Sequence, residues 1–140
     1  MHTTTAFVGC DVRRSKFFDV TFDGCKLVGT VFSDCTMRPL TVRGGQWQSV
    51  TIRGANLSKV DFSGVDLREA DLSMSDLSFA VLTKARLDRA TLRETKLDGA
   101  DLRGASPDGV DLSVALLKGT KLDLTGAVLL AELYGADVTP

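Results

Sequence analysis

The sequence predicts a solenoid, in which short repeats stack along one axis, followed by a short C-terminal helix. Three observations predict it. Every fifth residue from Phe7 to Leu122 is a central position, and 23 of these 24 positions carry a large apolar side chain. The residue two places before each central position is small or neutral, as at Ala70 and Ala80. The period of five ends after Leu122, where a helical pattern begins.

Charged side chains are absent from both of these columns. Residues 5 to 124 hold 33 charged side chains, so charge scattered at random would place roughly 13 of them in the two columns. Ionised side chains are excluded from an interior unless they are paired, because desolvation is too unfavourable. The two columns therefore point inward, and the other three positions of each unit face water.

A period of five fits neither an α-helix nor a half-buried strand, which repeat every 3.6 and every two residues. It indicates a chain that turns a corner once per unit. The unit Ala70–Met74 (Ala-Asp-Leu-Ser-Met) resembles the pentapeptide-repeat family, whose consensus is Ala-(Asp/Asn)-Leu-x-x, and the resemblance covers residues 5 to 124. It implies an all-β solenoid over residues 1–124, a right-handed quadrilateral β-helix of about six coils.

In such a coil every fourth unit lies on the same side of the rod. We number the sides one to four by their first central residues, which are Phe7, Val12, Phe17 and Phe22. The formal charges on the four sides sum to 0, −1, +2 and 0. No side is strongly acidic or strongly basic.

Three places depart from the repeat. Leu40, which follows Pro39, is too large for the small column, and this indicates either local repacking or a hinge. Gly45 precedes Trp47, and we expect the missing side chain of Gly45 to leave room for the indole. Pro107 interrupts the central column. Because proline cannot donate a hydrogen bond between coils, we expect its corner to be bulged or exposed.

Composition limits the class of protein. The net charge of −1 and the pI of about 5.8 argue against a nucleic-acid binder. No apolar run is long enough to span a bilayer, and the first residues lack the regions of a signal peptide, so we expect a cytoplasmic protein. Cys10, Cys25 and Cys35 fall in the inward small column on three different sides. They are therefore interpreted as small buried hydrophobes, with neither a disulfide nor a metal site.

No constellation of nucleophile, acid and base is visible in the sequence. The single histidine, His2, lies at the terminus, and the aspartates alternate with serines and arginines on a solvated surface. Neither a glycine-rich phosphate loop nor a metal-ligand spacing occurs. We expect no enzymatic activity, no cofactor and no metal.

Residues 125–135 read as a helix that begins near Asp123 and ends at Gly135, and residues 136–140 form a tail. Apolar residues occur on both faces, with Leu129 placed opposite a stripe through Val128 and Leu130, so one coil end cannot cover them all. We expect one face to cap the last coil and the other to form a homodimer. The predicted dimer interface comprises Val128, Leu129, Leu130, Leu133 and Tyr134. Two alternatives stay open: the helix is only a cap, or residues 131–138 resume the repeat after a one-residue slip.

Residues 31–40 and 121–128 further resemble the MfpA/Qnr type within the family. This resemblance implies a dimer joined through C-terminal helices. It also implies that the dimer binds and modulates the type II topoisomerase DNA gyrase by mimicking duplex DNA, and so protects it from quinolones or toxins. Neither direct nucleic-acid binding nor membrane binding is implied. The candidate partner-binding surface comprises Asp61, Asp66, Asp71, Asp76, Asp101 and Asp111.

Charge counting favours a second function. B-form DNA carries a negative charge about every 1.7 Å, so a mimic of this length would need about 17 excess negative charges. The nearest acidic cluster, from Asp61 to Asp76, places one aspartate on each side of a coil and so forms a ring rather than a stripe. A nearly neutral rod also fits a structural or protein-interaction scaffold whose partner is unrelated to topoisomerases.

Overall fold

The computed structural model describes residues 2–3, 11–13, 16–17, 20–33, 35–37 and 40–139, with side chains at 20–33, 35 and 40–139. The expectations for Cys10 and Pro39 fall outside these ranges. Eight short strands precede a 3₁₀ helix, η1, and an α-helix, α1. The elements are β1 (His2–Thr3), β2 (Asp11–Arg13), β3 (Lys16–Phe17), β4 (Val20–Asp23), β5 (Val31–Ser33), β6 (Thr36–Met37), β7 (Leu40–Arg43), β8 (Thr51–Ile52), η1 (Leu112–Val114) and α1 (Leu124–Leu133).

The strands pair in parallel with a constant offset of 20 residues. The sheets have the orders β1-β4-β7, β2-β5-β8 and β3-β6. Phe32, for example, pairs with Val12 on one side and with Ile52 on the other. A fourth ladder of single bridges links Lys26 to Gln46, and its members also follow one another every 20 residues. Four parallel ladders confirm a β-solenoid whose coil has four sides.

Beyond β8 each side continues as single bridges joined by tight turns. In a representative unit the Ser75 N–H donates to the carbonyl of Leu72 at 3.2 Å, and Met74 between them has a φ of +61°. A positive φ at the third residue is the requirement of a type II turn. The side chain of Asp71 accepts a bond of 3.0 Å from the Ser73 N–H and so stabilises the entry to the turn. These local bonds explain why an aspartate before a central leucine recurs in the sequence.

The core lies inside the square formed by the two columns. Central residues such as Leu57 and Leu77 are completely buried, as are Ala70 and Ala80 of the small column. Cys25 is buried and Cys35 is half-buried, and neither forms a disulfide within the described residues. The inward orientation of both columns is confirmed for residues 20–33 and 40–112.

Two buried hydroxyl groups of the small column, those of Ser75 and Thr95, are satisfied by carbonyls of neighbouring coils, whereas the hydroxyl of Thr30 lacks a hydrogen-bond partner among the described residues. The Ser75 hydroxyl donates to the carbonyl of Ile52 at 2.8 Å, and the Thr95 hydroxyl donates to that of Leu72 at the same distance. A buried hydroxyl without such a bond would destabilise the fold. Ser75 and Thr95 therefore hold adjacent coils together.

Trp47 is accommodated by the absence of a side chain at Gly45. Its indole is completely buried and makes edge-to-face contacts with Phe22 and Phe62, at centroid distances of 5.8 and 5.6 Å. A Cβ atom on Gly45 would lie 3.2 Å from the indole nitrogen and 2.7 Å from the carbonyl oxygen of Cys25. The predicted exchange of volume between these two positions is confirmed.

The expectation for Pro107 is wrong, because this residue is buried in a regular turn. Its carbonyl accepts the Val110 N–H at 3.0 Å, as in other units. The N–H group of a central residue donates a hydrogen bond to the carbonyl oxygen of the residue 19 places later, as the N–H of Leu87 does to the carbonyl of Ser106. The corresponding carbonyl for Pro107 belongs to Gly126, which has left the solenoid for α1. Proline therefore forfeits no bond between coils at this position.

Helix α1 closes the C-terminal end of the solenoid. Gly126 is its buried residue, and it lies so close to Leu122 that an added Cβ would approach the leucine side chain to 3.3 Å. Leu129 and Leu130 pack against the buried core. The space left between the helix and the last coil, lined in part by Pro107 and Leu112, is only about 10 Å³.

Candidate functional site

The outer face of α1 is apolar, and side chains at both of its ends are exposed within the described residues. With 3.6 residues per turn, Leu124 and Val128 lie on the face opposite the buried Gly126, and Val128 is half-buried. Leu124 at the start of the helix is 81% exposed, and Tyr134 at its C-cap is 73% exposed. The helix carries one charged residue, Glu132. A second copy packed on this face would remove these side chains from water.

The structure divides the predicted dimer residues between two roles. Leu129 and Leu130 are half-buried against the core and Val128 is half-buried as well, whereas Leu133 and Tyr134 are exposed. The expectation that Leu129 lies opposite Leu130 is wrong, because both face the coil. The position of Gly126 against Leu122 fixes the rotation of the helix, and residues three and four places after it then point the same way.

Asp123 fixes the start of α1 to the preceding coil. One carboxylate oxygen accepts the Gly126 N–H at 3.0 Å, and the other accepts the Gly104 N–H at 2.7 Å. The first bond is that of a helix N-cap, and the second joins the helix to the solenoid. The same two backbone donors lower the pKa of Asp123. The orientation of the helix therefore depends on an ionised side chain.

The structure distributes the six candidate aspartates around the rod. Asp66 lies on side one, Asp71 and Asp111 on side two, Asp76 on side three, and Asp61 and Asp101 on side four. Asp61 to Asp76 form the predicted ring. Each of the six accepts a hydrogen bond from the serine or arginine two residues later. These carboxylates therefore belong first to the turns.

Arginines neutralise three of the six carboxylates. Arg68 binds Asp66 at 2.7 Å, Arg103 binds Asp101 at 2.7 Å, and Arg53 binds Asp71 at 2.5 Å from the preceding coil. The pairs lie at the surface, so they contribute little to stability. They do remove much of the negative potential that the aspartates would otherwise present to a partner.

The pairs also change the acidity of these groups. The Arg103 hydrogen bond lowers the pKa of Asp101 to about 2. Burial raises the pKa of Asp66 and of Asp71, but hydrogen bonds from Arg68, and from Ser73 and Arg53, outweigh burial and lower both. All three carboxylates are ionised at neutral pH.

The described ranges show neither a metal cluster nor a membrane-spanning helix. No group of three or more His, Cys, Asp or Glu residues that could hold a metal ion occurs among the described residues. None of the described helices is long and apolar enough to cross a bilayer. The surface features that remain are the outer face of α1 and the sides of the rod.

Sequence reasoning missed an apolar surface along side three. Met74 and Phe79 flank this side at its two corners and are 56% and 63% exposed, with Val114 and Leu116 exposed nearby. The sequence does contain a signal for this surface. Met74 and Phe79 are large apolar residues at the last position of their units, which usually carries glycine or a charged residue. The helix η1 at residues 112–114, which replaces a turn and turns Val114 outward, had no comparable signal.

Comparisons with known proteins agree with this architecture. The family model described as Pentapeptide repeats (8 copies) matches residues 48–83 and 75–106. Residues 48–106 of the chain therefore consist of pentapeptide repeats of this family. They form the part of the chain with the most regular leucine column. No protein with a curated description matches the chain significantly.

Several solved pentapeptide-repeat structures are similar to this chain. A protein from the Arabidopsis thaliana thylakoid lumen shares 24% identity with a TM-score of 0.56, covering 87% of this chain and 78% of that one. A trypsin-treated variant of QnrB1, a plasmid-mediated fluoroquinolone resistance protein, shares 19% identity with a TM-score of 0.48 and covers 99% of both chains. A protein from Nostoc PCC 7120 shares 31% identity over 56% of this chain and 76% of its own, with a TM-score of 0.25. The first of these supports the shared fold.

Proposed function

We propose that this pentapeptide-repeat protein is a non-enzymatic, cytoplasmic homodimer that binds and modulates DNA gyrase. It would be a right-handed rod of about six coils, joined to its partner through α1. The apolar outer face of α1 carries the proposal, because it supplies the dimer that the MfpA/Qnr type requires. The resemblance of residues 31–40 and 121–128 to that type supplies gyrase as the partner, and QnrB1, similar in structure, is a fluoroquinolone resistance protein.

The near-neutral surface of the rod indicates that shape complementarity, rather than a negative electrostatic potential, would drive its binding to gyrase. Arg53, Arg68 and Arg103 pair with three of the candidate aspartates. The other two carboxylates of the ring, Asp61 and Asp76, lie on adjacent sides and accept hydrogen bonds from Ser63 and Ser78. Binding by this rod would therefore depend on its cross-section and length, with weak dependence on salt.

A second candidate function is a protein-interaction scaffold unrelated to topoisomerases. The pairing of Asp66, Asp71 and Asp101 with arginines favours it, because a rod without excess negative charge is a poor electrostatic mimic of DNA. The apolar strip on side three favours it as well, since DNA offers no such surface.

A supercoiling assay separates these two functions. Purified protein is titrated into DNA gyrase and relaxed plasmid, with and without a quinolone, beside a Leu124→Glu variant, which alters an exposed residue of the outer helix face. We expect inhibition of supercoiling or protection from the quinolone at low micromolar wild-type protein, and a loss of the effect in the variant. No effect at tens of micromolar of folded dimer would reject gyrase and leave the scaffold function.

A further inference from the structure

The corner between sides three and four carries an exposed aromatic ring. Phe79 is 63% exposed and has a φ of +58°. Large residues rarely adopt a positive φ, because the side chain crowds the backbone carbonyl. Other units place glycine at the same turn position, for example Gly64 and Gly104, or a charged residue, for example Lys84 and Arg89. Phe79 exposes an apolar ring where most units expose a polar side chain or none, which points to a role at the surface.

Glycines make the surface beside Phe79 concave. The ring lies over Gly99 of the next coil, where an added Cβ would be 2.5 Å from the ring carbon Cε1. Gly119 follows in the same column one coil later. The result is a groove of about 600 Å³ along this corner, which we call the corner groove. It is lined by Phe79, Asp98, Gly99, Lys118, Gly119 and Lys121.

The polar groups of the corner groove are unsatisfied. Within the described residues neither Lys118 nor Lys121 takes part in an ion pair, whereas four arginines of the rod do. The Asp98 oxygen Oδ1 is buried and lacks a hydrogen-bond partner among the described residues. Buried polar atoms are normally hydrogen-bonded, so this oxygen is available to accept a hydrogen bond from a bound partner. Side three also has the most positive formal charge of the four sides, +2.

We propose that the corner groove binds an extended acidic segment of a partner protein. An apolar side chain of the segment packs against Phe79, its carboxylates bind Lys118 and Lys121, and a main-chain N–H donates to Asp98 Oδ1. This inference extends the partner-binding role proposed above. It places partner binding at side three, and it specifies that the partner contributes an extended acidic segment.

A single-stranded nucleic acid also combines stacking with lysine contacts. Two observations favour the peptide. The Asp98 oxygen Oδ1 lacks a hydrogen-bond donor among the described residues, and a peptide main chain supplies N–H donors that a sugar-phosphate backbone lacks. The chain as a whole carries a net charge of −1 and so lacks the basic surface that a nucleic-acid backbone needs.

Fluorescence anisotropy with a defined probe tests the proposal. The probe is a labelled short peptide with one leucine flanked on both sides by glutamates, added to the full-length protein. We expect saturable binding, and at least a tenfold loss of affinity in Phe79→Gly. Glycine suits the positive φ at this position, so that variant keeps the fold. Met74→Gly is the matched control, because Met74 has a φ of +61° and is 56% exposed at the other corner of side three. It should leave the affinity unchanged.

Charge variants and competing probes complete the test. We expect Lys118→Gln with Lys121→Gln to weaken binding at least fivefold, and a peptide with lysines in place of glutamates not to bind. Equal binding of the two peptides, equal binding by Phe79→Gly, or tighter binding of labelled oligothymidylate would each overturn the proposal. A change of oligomeric mass in Phe79→Gly would also overturn it, since the groove would then hold a second copy. The supercoiling assay is independent of these results, so either proposal can fail alone.

Discussion

The indole of Trp47 occupies the space that a side chain on Gly45 would need. An added Cβ would lie 3.2 Å from the indole nitrogen and 2.7 Å from the backbone of Cys25, and the φ of Gly45 is +118°. The side-chain volume at this position of the small column therefore matches that of the neighbouring central residue. Local volume, rather than the consensus residue, decides what is tolerated at each position.

We predict that Gly45→Ala is strongly destabilising. The added methyl group meets backbone atoms of Cys25 as well as the indole, so the expected loss is about 2 to 5 kcal/mol in urea unfolding. Gly64→Ala is the matched control, because Gly64 has a φ of +69° and open space around it. Its loss should be about 1 kcal/mol, from backbone strain alone. Equal losses in the two variants would contradict the packing argument.

A second prediction concerns the leucine ladder. Leu72 is 1% exposed, so Leu72→Ala should lower the free energy of unfolding by about 2 to 5 kcal/mol. Leu116 is 50% exposed, and Leu116→Ala should change it by less than about 0.5 kcal/mol. Urea denaturation monitored by circular dichroism measures both. A loss below half a kcal/mol for Leu72→Ala would show that the core column is misplaced.

The sequence was sufficient to predict the solenoid because its period repeats in one phase from Phe7 to Leu122. Each coil imposes the same inward requirement, so many weak signals add. It was not sufficient at Pro107, where the outcome depends on what lies one coil later. A missing N–H is unfavourable only if a carbonyl faces it, and here the chain has already turned into α1.

The candidate site was harder to predict than the fold. The rotation of α1 depends on how closely Gly126 approaches Leu122, a contact that periodicity does not encode. The sequence predicts a partner-binding surface at the aspartates, whereas in the structure the turns and nearby arginines bind them. The repeat does not single out Phe79, because its outward positions tolerate most residues and one aromatic side chain there leaves the period unchanged.

The two bonds of Asp123 give a graded prediction for the helix. Asp123→Asn keeps an acceptor for the Gly126 N–H but loses the one for Gly104, whereas Asp123→Ala loses both. We expect the melting temperature to fall in the order wild type, asparagine variant, alanine variant. Differential scanning calorimetry measures this order. Identical temperatures in all three proteins would show that the helix is held by apolar packing alone.

Acid should destabilise the rod, because folding lowers the pKa of some of its carboxyl groups. The pKa of Asp101 falls from 3.8 to about 2 because Arg103 binds it. A lowered folded-state pKa stabilises the protein above pH 3.8, and this contribution is lost as the pH falls towards 2. We expect the urea midpoint to decrease through that interval, and to decrease less in Arg103→Gln. A midpoint that is constant between pH 4 and 2 would contradict this, and added salt should reduce the effect because the pair is exposed.

The two faces of α1 give opposite predictions for mass and stability. Leu124 is 81% exposed on the face away from the buried Gly126, so Leu124→Glu places a charge in the proposed dimer interface and should yield monomers in multi-angle light scattering, with little change in melting temperature. Leu129 packs against the core, so Leu129→Ala should lower the melting temperature and leave the mass unchanged. A monomeric wild-type protein would show that the helix is only a cap. A dimer that persists in Leu124→Glu would place the interface elsewhere on the rod, and side three, with its exposed Phe79, would be the next surface to test.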